Sequence, residues 1–188
     1  PTEEIPKFFK HLEEKISSIT HLFGASMAII GTIFLLITVS GKENLFLSII
    51  YGISNIFLFL SSGLYHGLNF ENDPEFFFRK MDHIAIFLMI AGTYTPIVFY
   101  FLPVTWCLIF LIIQWTATLI GALIKLVVRH VPRKITTTLY LIQGWMAIVP
   151  IHFFIRNMPT NIFLFTLIGG IIYTIGAIVY VLKKPNPI

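Results

Sequence analysis

Six runs of about 20 mostly apolar residues, at about 21–40, 45–66, 83–102, 104–128, 135–155 and 161–182, make up most of this 188-residue chain. A helix needs about 20 such residues to cross the hydrocarbon of a bilayer, because it rises only about 1.5 Å per residue. Strands of a membrane barrel would be segments of about ten residues with alternating polarity, and these runs are too long and unbroken for that. The pattern predicts an all-α, multi-pass transmembrane helical bundle with six spans, built as a single integral membrane domain over residues 1–188. Composition agrees, with only 12% charged residues where a soluble domain carries about 25%. The separators at 41–44, 67–82, Pro103, 129–134 and 156–160 carry the charge, Pro or Gly that links require. The first run is too long for a cleaved signal peptide and lacks a small-residue cleavage pattern after it. Cys107 is the single cysteine, which excludes an intrachain disulfide and reads as an apolar filler near a helix end.

The formal net charge of +4 does not point to nucleic acid, because the cations sit in short loops, where they orient a membrane chain. Lys7, Lys10, Lys15, Arg79, Lys80, Lys125, Arg129, Arg133, Lys134, Lys183 and Lys184 fall on one side, and only Lys42 and Arg156 on the other. The positive-inside rule then puts both termini and the second and fourth links in the cytoplasm of a cell-membrane protein. Before the first span, Ile5, Phe8, Phe9, Leu12 and Ile16 recur near helical spacing among Glu and Lys. Residues 1–17 accordingly read as a cytoplasmic interfacial segment, or else as a partly ordered tail.

At 100° per residue, Ser48, Tyr51, Asn55, Ser62 and His66 share one face of the second helix. His21, Gly24, Ala25, Ala28 and Thr32 share a face of the first, and Asp82, Met89, Thr93 and Pro96 a face of the third. The fourth aligns Gln114, Thr118, Gly121 and Lys125, and the sixth Thr166, Gly170, Tyr173, Ala177 and Tyr180. Small residues on such stripes let helices approach, and their polar neighbours bond across the contact. His66 and Asp82 stand apart, because a short link returns them to one membrane depth on neighbouring antiparallel helices. Neutral His there is a good zinc ligand, and Asp beside it can hold a water or the ring's second nitrogen. The bland alternative is a His snorkelling to water and an Asp capping the third helix. One His and one Asp are not by themselves a zinc site. His21 reads as an interfacial residue rather than a further ligand. Lys125 and Arg129 read as snorkelling cations or anionic head-group contacts, with Asp82 as another partner open to Lys125.

Several short motifs go further together than any does alone: Glu13-Glu14 with Ser18-Ile19-Thr20-His21, Ser62-Gly63-Leu64-Tyr65-His66, Met81-Asp82-His83 running into Ala91-Gly92-Thr93-Tyr94-Thr95-Pro96, and Gly169-Gly170 with Tyr173-Thr174-Ile175-Gly176. On these residues the chain resembles, over essentially its whole length, the hemolysin III branch of the progestin and adipoQ receptor (PAQR) family. The resemblance implies a seven-helix membrane protein with a cytoplasmic N-terminus, linked to zinc and to ceramidase-like hydrolysis. It makes His66 the second-helix zinc ligand, Asp82 the group that binds the metal's water, and Ser62 a support for that water or for the substrate's oxyanion. It also implies two more zinc-binding histidines, spaced i to i+4, on a seventh helix. This sequence ends at Ile188, where the link to that helix is expected to begin, and opens on Pro1 as if trimmed. Where the family's first motif usually has Asn, this chain has Ser17.

The function expected from this is a zinc-dependent hydrolase of a membrane lipid amide, acting at the cytoplasmic face with membrane lipids as its partners. The alternatives are a non-enzymatic sensor or receptor of lipid state and a pore-forming cytolytic protein. A wide pore would need charge along several helix faces, whereas the charges here gather near one surface.

Overall fold

The computed structural model describes residues 7–68, 74–128 and 131–182, which are helical apart from short links and include no strand. Seven α-helices follow one another among these residues: α1 (Lys7–Thr38), α2 (Lys42–Gly67), α3 (Pro74–Phe101), α4 (Val104–Val127), α5 (Arg133–Gly144), α6 (Ile151–Asn157) and α7 (Thr160–Leu182), with a 3₁₀ turn at Trp145–Ile148 between α5 and α6. Five of them are long and apolar enough to cross a membrane by themselves, and α5, the 3₁₀ turn and α6 supply a sixth candidate span bent by 52°. Apolar side chains such as Phe23, Ile37, Ile112, Phe165 and Ile172 stand exposed along these helices. A surface of that kind is stable only against lipid. The protein is thus a multi-pass helical membrane protein.

Two helices begin well before the apolar runs do. α1 continues without a break from Lys7, so the amphipathic stretch and the first span are one helix; residues 1–6 lie outside the described set, and with them Ile5. α3 begins at Pro74 rather than near residue 82. Proline is well suited to the first helical position, where no N–H partner is needed. Hydropathy marks where a helix enters lipid, not where it starts.

The chain divides into two compact units, residues 1–92 and 93–187, each taken by itself below. In the first, α1 and α2 form an antiparallel hairpin across a tight turn at Gly41, whose φ of 90° suits glycine and few other residues. Close approach is made possible by small residues. A Cβ on Gly52 would lie 2.5 Å from Thr32 Oγ1 and 2.9 Å from its Cβ, and Ser18 Oγ donates to the Gly63 carbonyl at 2.9 Å. On α1 the least exposed positions include His21, Gly24, Ala25, Ala28 and Thr32, the stripe expected from helical phase.

In the second unit, Val98, Leu102, Cys107, Phe110, Phe154 and Met158 form an apolar core, with Cys107 as filler near the start of α4. Gln114, Thr118, Gly121 and Lys125 are all buried along one face of α4. Against that face α5 buries Thr136, Thr137, Tyr140 and Gln143. Gln114 Nε2 donates to the Gln143 carbonyl at 3.0 Å, Gln143 Nε2 to Thr118 Oγ1 at 2.9 Å, and Lys125 Nζ to Thr136 Oγ1 at 2.8 Å.

The fifth span is interrupted, where an unbroken run over 135–155 was expected. Pro150 has no N–H to continue the ladder and its ring crowds the preceding turn. The chain tightens into 3₁₀ geometry, with Val149 N–H donating to the Met146 carbonyl at 3.1 Å. Where α5 gives way to the 3₁₀ turn, its carbonyls are also reached by side chains of other helices, as suits a helix end in the bilayer interior. Gln114 supplies one donor to Gln143, and the Tyr94 hydroxyl supplies another to Gly144.

Candidate functional site

The first unit gathers its polar side chains at one end of the α1–α2 hairpin. α2 ends at Gly67, which places His66 in its last turn. Ser62 lies four residues earlier, on the same face, and is buried. From α3, the Asp82 carboxylate accepts a hydrogen bond from the Ser62 side chain and lies within electrostatic reach of both His66 and His21. Ser62, His66 and Asp82, named from the sequence, are therefore neighbours.

Asp82 is not the helix cap considered as its bland alternative. It stands eight residues after Pro74, about 12 Å along the α3 axis, far beyond the first turn where a cap acts. Its hydroxyl partner is on another helix.

Glu14 is the residue that sequence reasoning left out of the site. Its Oε2 lies 2.6 Å from His66 Nδ1, so the ring's orientation is fixed from that side. With His66 24% and Glu14 40% exposed, the pair is partly screened by solvent and worth no more than about 1 kcal/mol to stability. Its effect is to aim the ring. The signal for Glu14 was present in the sequence: Glu14, Ser18, His21 and Ala25 follow one another at helical spacing. Ser18 and Ala25 are buried, and Glu14 and His21 are partly so.

His21, expected as an interfacial residue, lies beside this cluster. Its ring centroid lies 5.9 Å from that of His66 and 6.2 Å from Phe59. The Nδ1 atom of His21 is buried and has no hydrogen-bond partner among the described residues. Tyr65 packs on His66 with centroids 4.8 Å apart.

Imidazole nitrogen, carboxylate and an outer carboxylate on the ring's far nitrogen are the kinds of group that hold zinc and orient its ligands. The set fits zinc in kind and falls short in number. Among the described residues, no three His, Cys, Asp or Glu side chains come together in a way that could hold a metal ion. Lys125, the other ionisable residue singled out within a span, bonds to Thr136 in the second unit. Arg129 lies outside the described residues.

Comparison with known proteins agrees with the motifs. The chain is 35% identical over 189 residues to Hemolysin-3 of Bacillus cereus, covering 97% of this chain and 85% of that protein. It is 31% identical over 175 residues to the Hemolysin-3 homolog of Bacillus subtilis (strain 168), covering 92% and 82% respectively. No solved structure matches it. Residues 9–188 match the haemolysin-III related family, and on that match and these identities the chain belongs to that family.

Proposed function

We propose that this haemolysin-III family membrane protein hydrolyses an amide bond of a membrane lipid, with zinc as cofactor and His66, Asp82 and Ser62 as its working residues. The observation that carries the reading is the pair of contacts that prepare the site: Glu14 on His66 Nδ1 and Ser62 on Asp82. Glu14 holds the ring so that Nε2 is the free ligating nitrogen, an arrangement common to metal-binding histidines. When bound, zinc would supply Lewis acidity toward the amide carbonyl.

The remaining chemistry belongs to the chain. An Asp82 carboxylate oxygen is the general base that takes a proton from the attacking water, and it returns that proton to the departing amine. Ser62 keeps the carboxylate oriented by donating to it. Gly63 and Gly67, flanking His66, let α1 lie close, since a Cβ at Gly67 would meet Ser18 Oγ at 2.5 Å and one at Gly63 would meet Leu22 at 2.9 Å. On the charge distribution, the cluster faces the cytoplasm of a cell whose plasma membrane holds the protein.

Zinc content by elemental analysis of the full chain and of His66→Ala tests the cofactor, and mass spectrometry of lipid amides incubated with both tests the chemistry. The reading expects metal and turnover in the first and neither in the second. Protein that retains no metal refutes zinc hydrolysis. Metal retained without turnover of any lipid amide would favour a sensor.

A further inference from the structure

A second feature has no part in that chemistry. All nine Asp and Glu residues lie at or before Asp82, so residues 93–188 contain Lys125, Arg129, Arg133, Lys134, Arg156, Lys183 and Lys184 and no acidic side chain. Six of these seven cations cluster in sequence at the end of α4, the start of α5 and just past the end of α7. Of the six, Arg129, Lys183 and Lys184 lie outside the described residues.

At the described part of that end, α5 and α7 are held together and yet leave an opening. Arg133 donates from Nη1 to the Tyr180 carbonyl at 3.1 Å and lies 4.3 Å over the Tyr180 ring. Beside this clasp runs a groove of about 640 Å³, counted to its open mouth, lined by Lys134, Thr138, Leu141, Ala177, Ile178 and Val181 among others. Ala177 contributes little bulk to its wall, and Lys134 and Thr138 stand exposed at the α5 side. The α5 N-terminus adds its partial positive charge near the mouth.

We propose that this groove binds one molecule of an anionic glycerophospholipid, with the phosphate at Lys134 and one acyl chain along Leu141, Ala177, Ile178 and Val181. Charge complementarity selects the occupant. A groove with apolar walls inside a membrane span receives acyl chains, while a cationic mouth on a segment without carboxylates of its own discriminates for a negative head group. Arg133, engaged by Tyr180, fixes the spacing of the two helices rather than acting as the main head-group contact.

Native mass spectrometry of the full chain in detergent, titrated with phosphatidylglycerol, phosphatidylcholine or soluble glycerol phosphate, tests this. Phosphatidylglycerol is expected to bind in preference to phosphatidylcholine, and glycerol phosphate not to displace it. Lys134→Ala should reduce that preference about fivefold, the usual weight of one basic residue at an anionic surface, and Lys134→Arg should keep it. Ala177→Trp, or Ala177→Leu if the larger ring prevents folding, should weaken both lipids alike by filling the groove. An unchanged preference in Lys134→Ala, unchanged lipid retention in the folded Ala177 variant, or displacement by glycerol phosphate would each overturn the proposal.

Discussion

The α1–α2 contact at Gly52 permits a prediction whose sign depends on a second residue. An alanine there would place its Cβ 2.5 Å from Thr32 Oγ1 and 2.9 Å from Thr32 Cβ, whereas carbon atoms in contact sit at about 3.5–4.0 Å. Rotation of Thr32 is no escape. Its hydroxyl is held by the Ala28 carbonyl at 2.6 Å, and turning χ1 would leave Cβ where it is. The helices must therefore part by roughly 0.6–1.0 Å, which for an overpacked site costs about 1–3 kcal/mol. Against this, alanine is the better helix former by about 1 kcal/mol. Gly52→Ala should thus lose up to about 2 kcal/mol in the native background. In Thr32→Gly, where the hydroxyl, methyl and Cβ are all gone, the same change should lose much less or gain slightly. Equilibrium unfolding of the four proteins in mixed detergent, followed by circular dichroism, gives the coupling energy. A coupling below about 0.5 kcal/mol, which is within the range of independent sites, would refute the claim that this glycine is there for helix approach.

Other outcomes follow from single contacts. Tyr94→Phe removes the hydroxyl that donates to Gly144 and should destabilise the second unit by about 1–3 kcal/mol; reaction of the buried Cys107 with a thiol dye during heating would report it, and an unchanged transition would contradict it. Glu14→Gln should lower zinc retention by about 10–100-fold, the usual effect of losing an outer carboxylate on a metal-binding His, and a zinc titration of the purified protein checks this. Ser62→Ala should slow lipid amide turnover by itself and have little added effect in Asp82→Asn, because it acts through that carboxylate. Additive losses in the double variant would assign Ser62 a separate role.

Much of the fold was legible because one physical quantity, apolar run length, governs membrane crossing. The interior stripe of α4 was legible for a similar reason: helical phase alone picked out Gln114, Thr118, Gly121 and Lys125, and all four are buried, whereas the stripe expected on the last span leaves Thr166 and Tyr180 exposed and no α7 residue buried. The helix starts were not, since lipid sets no requirement on the turns before it. Residues 74–81 are polar enough to read as a link and still form two turns of α3, which changes Asp82 from a possible cap into a side chain directed at another helix. Within the site, His66 and Asp82 stood out because ionisable residues are rare in such a chain, and Ser62 because it lies one helical turn before His66. Glu14 appeared only within a motif of the resemblance, because the helical face it shares with Ser18 and His21 was not followed back from the first span.

Two prolines show why local sequence could not locate the break. Pro96 lies within α3, which continues through it to Phe101, whereas Pro150 stands at the break between Ile148 and Ile151, where the span bends by 52°. Each removes one donor and crowds the turn before it, so the local effect is the same. At the break, donors from other helices reach the carbonyls. At the end of α5, Gln114 from α4 and Tyr94 from α3 donate to two successive carbonyls, Gln143 and Gly144. Bilayer interiors allow a broken helix only where protein groups take over its lost bonds. The break near Pro150 thus comes with donors from side chains more than 25 residues away in sequence, on helices whose packing must be known first.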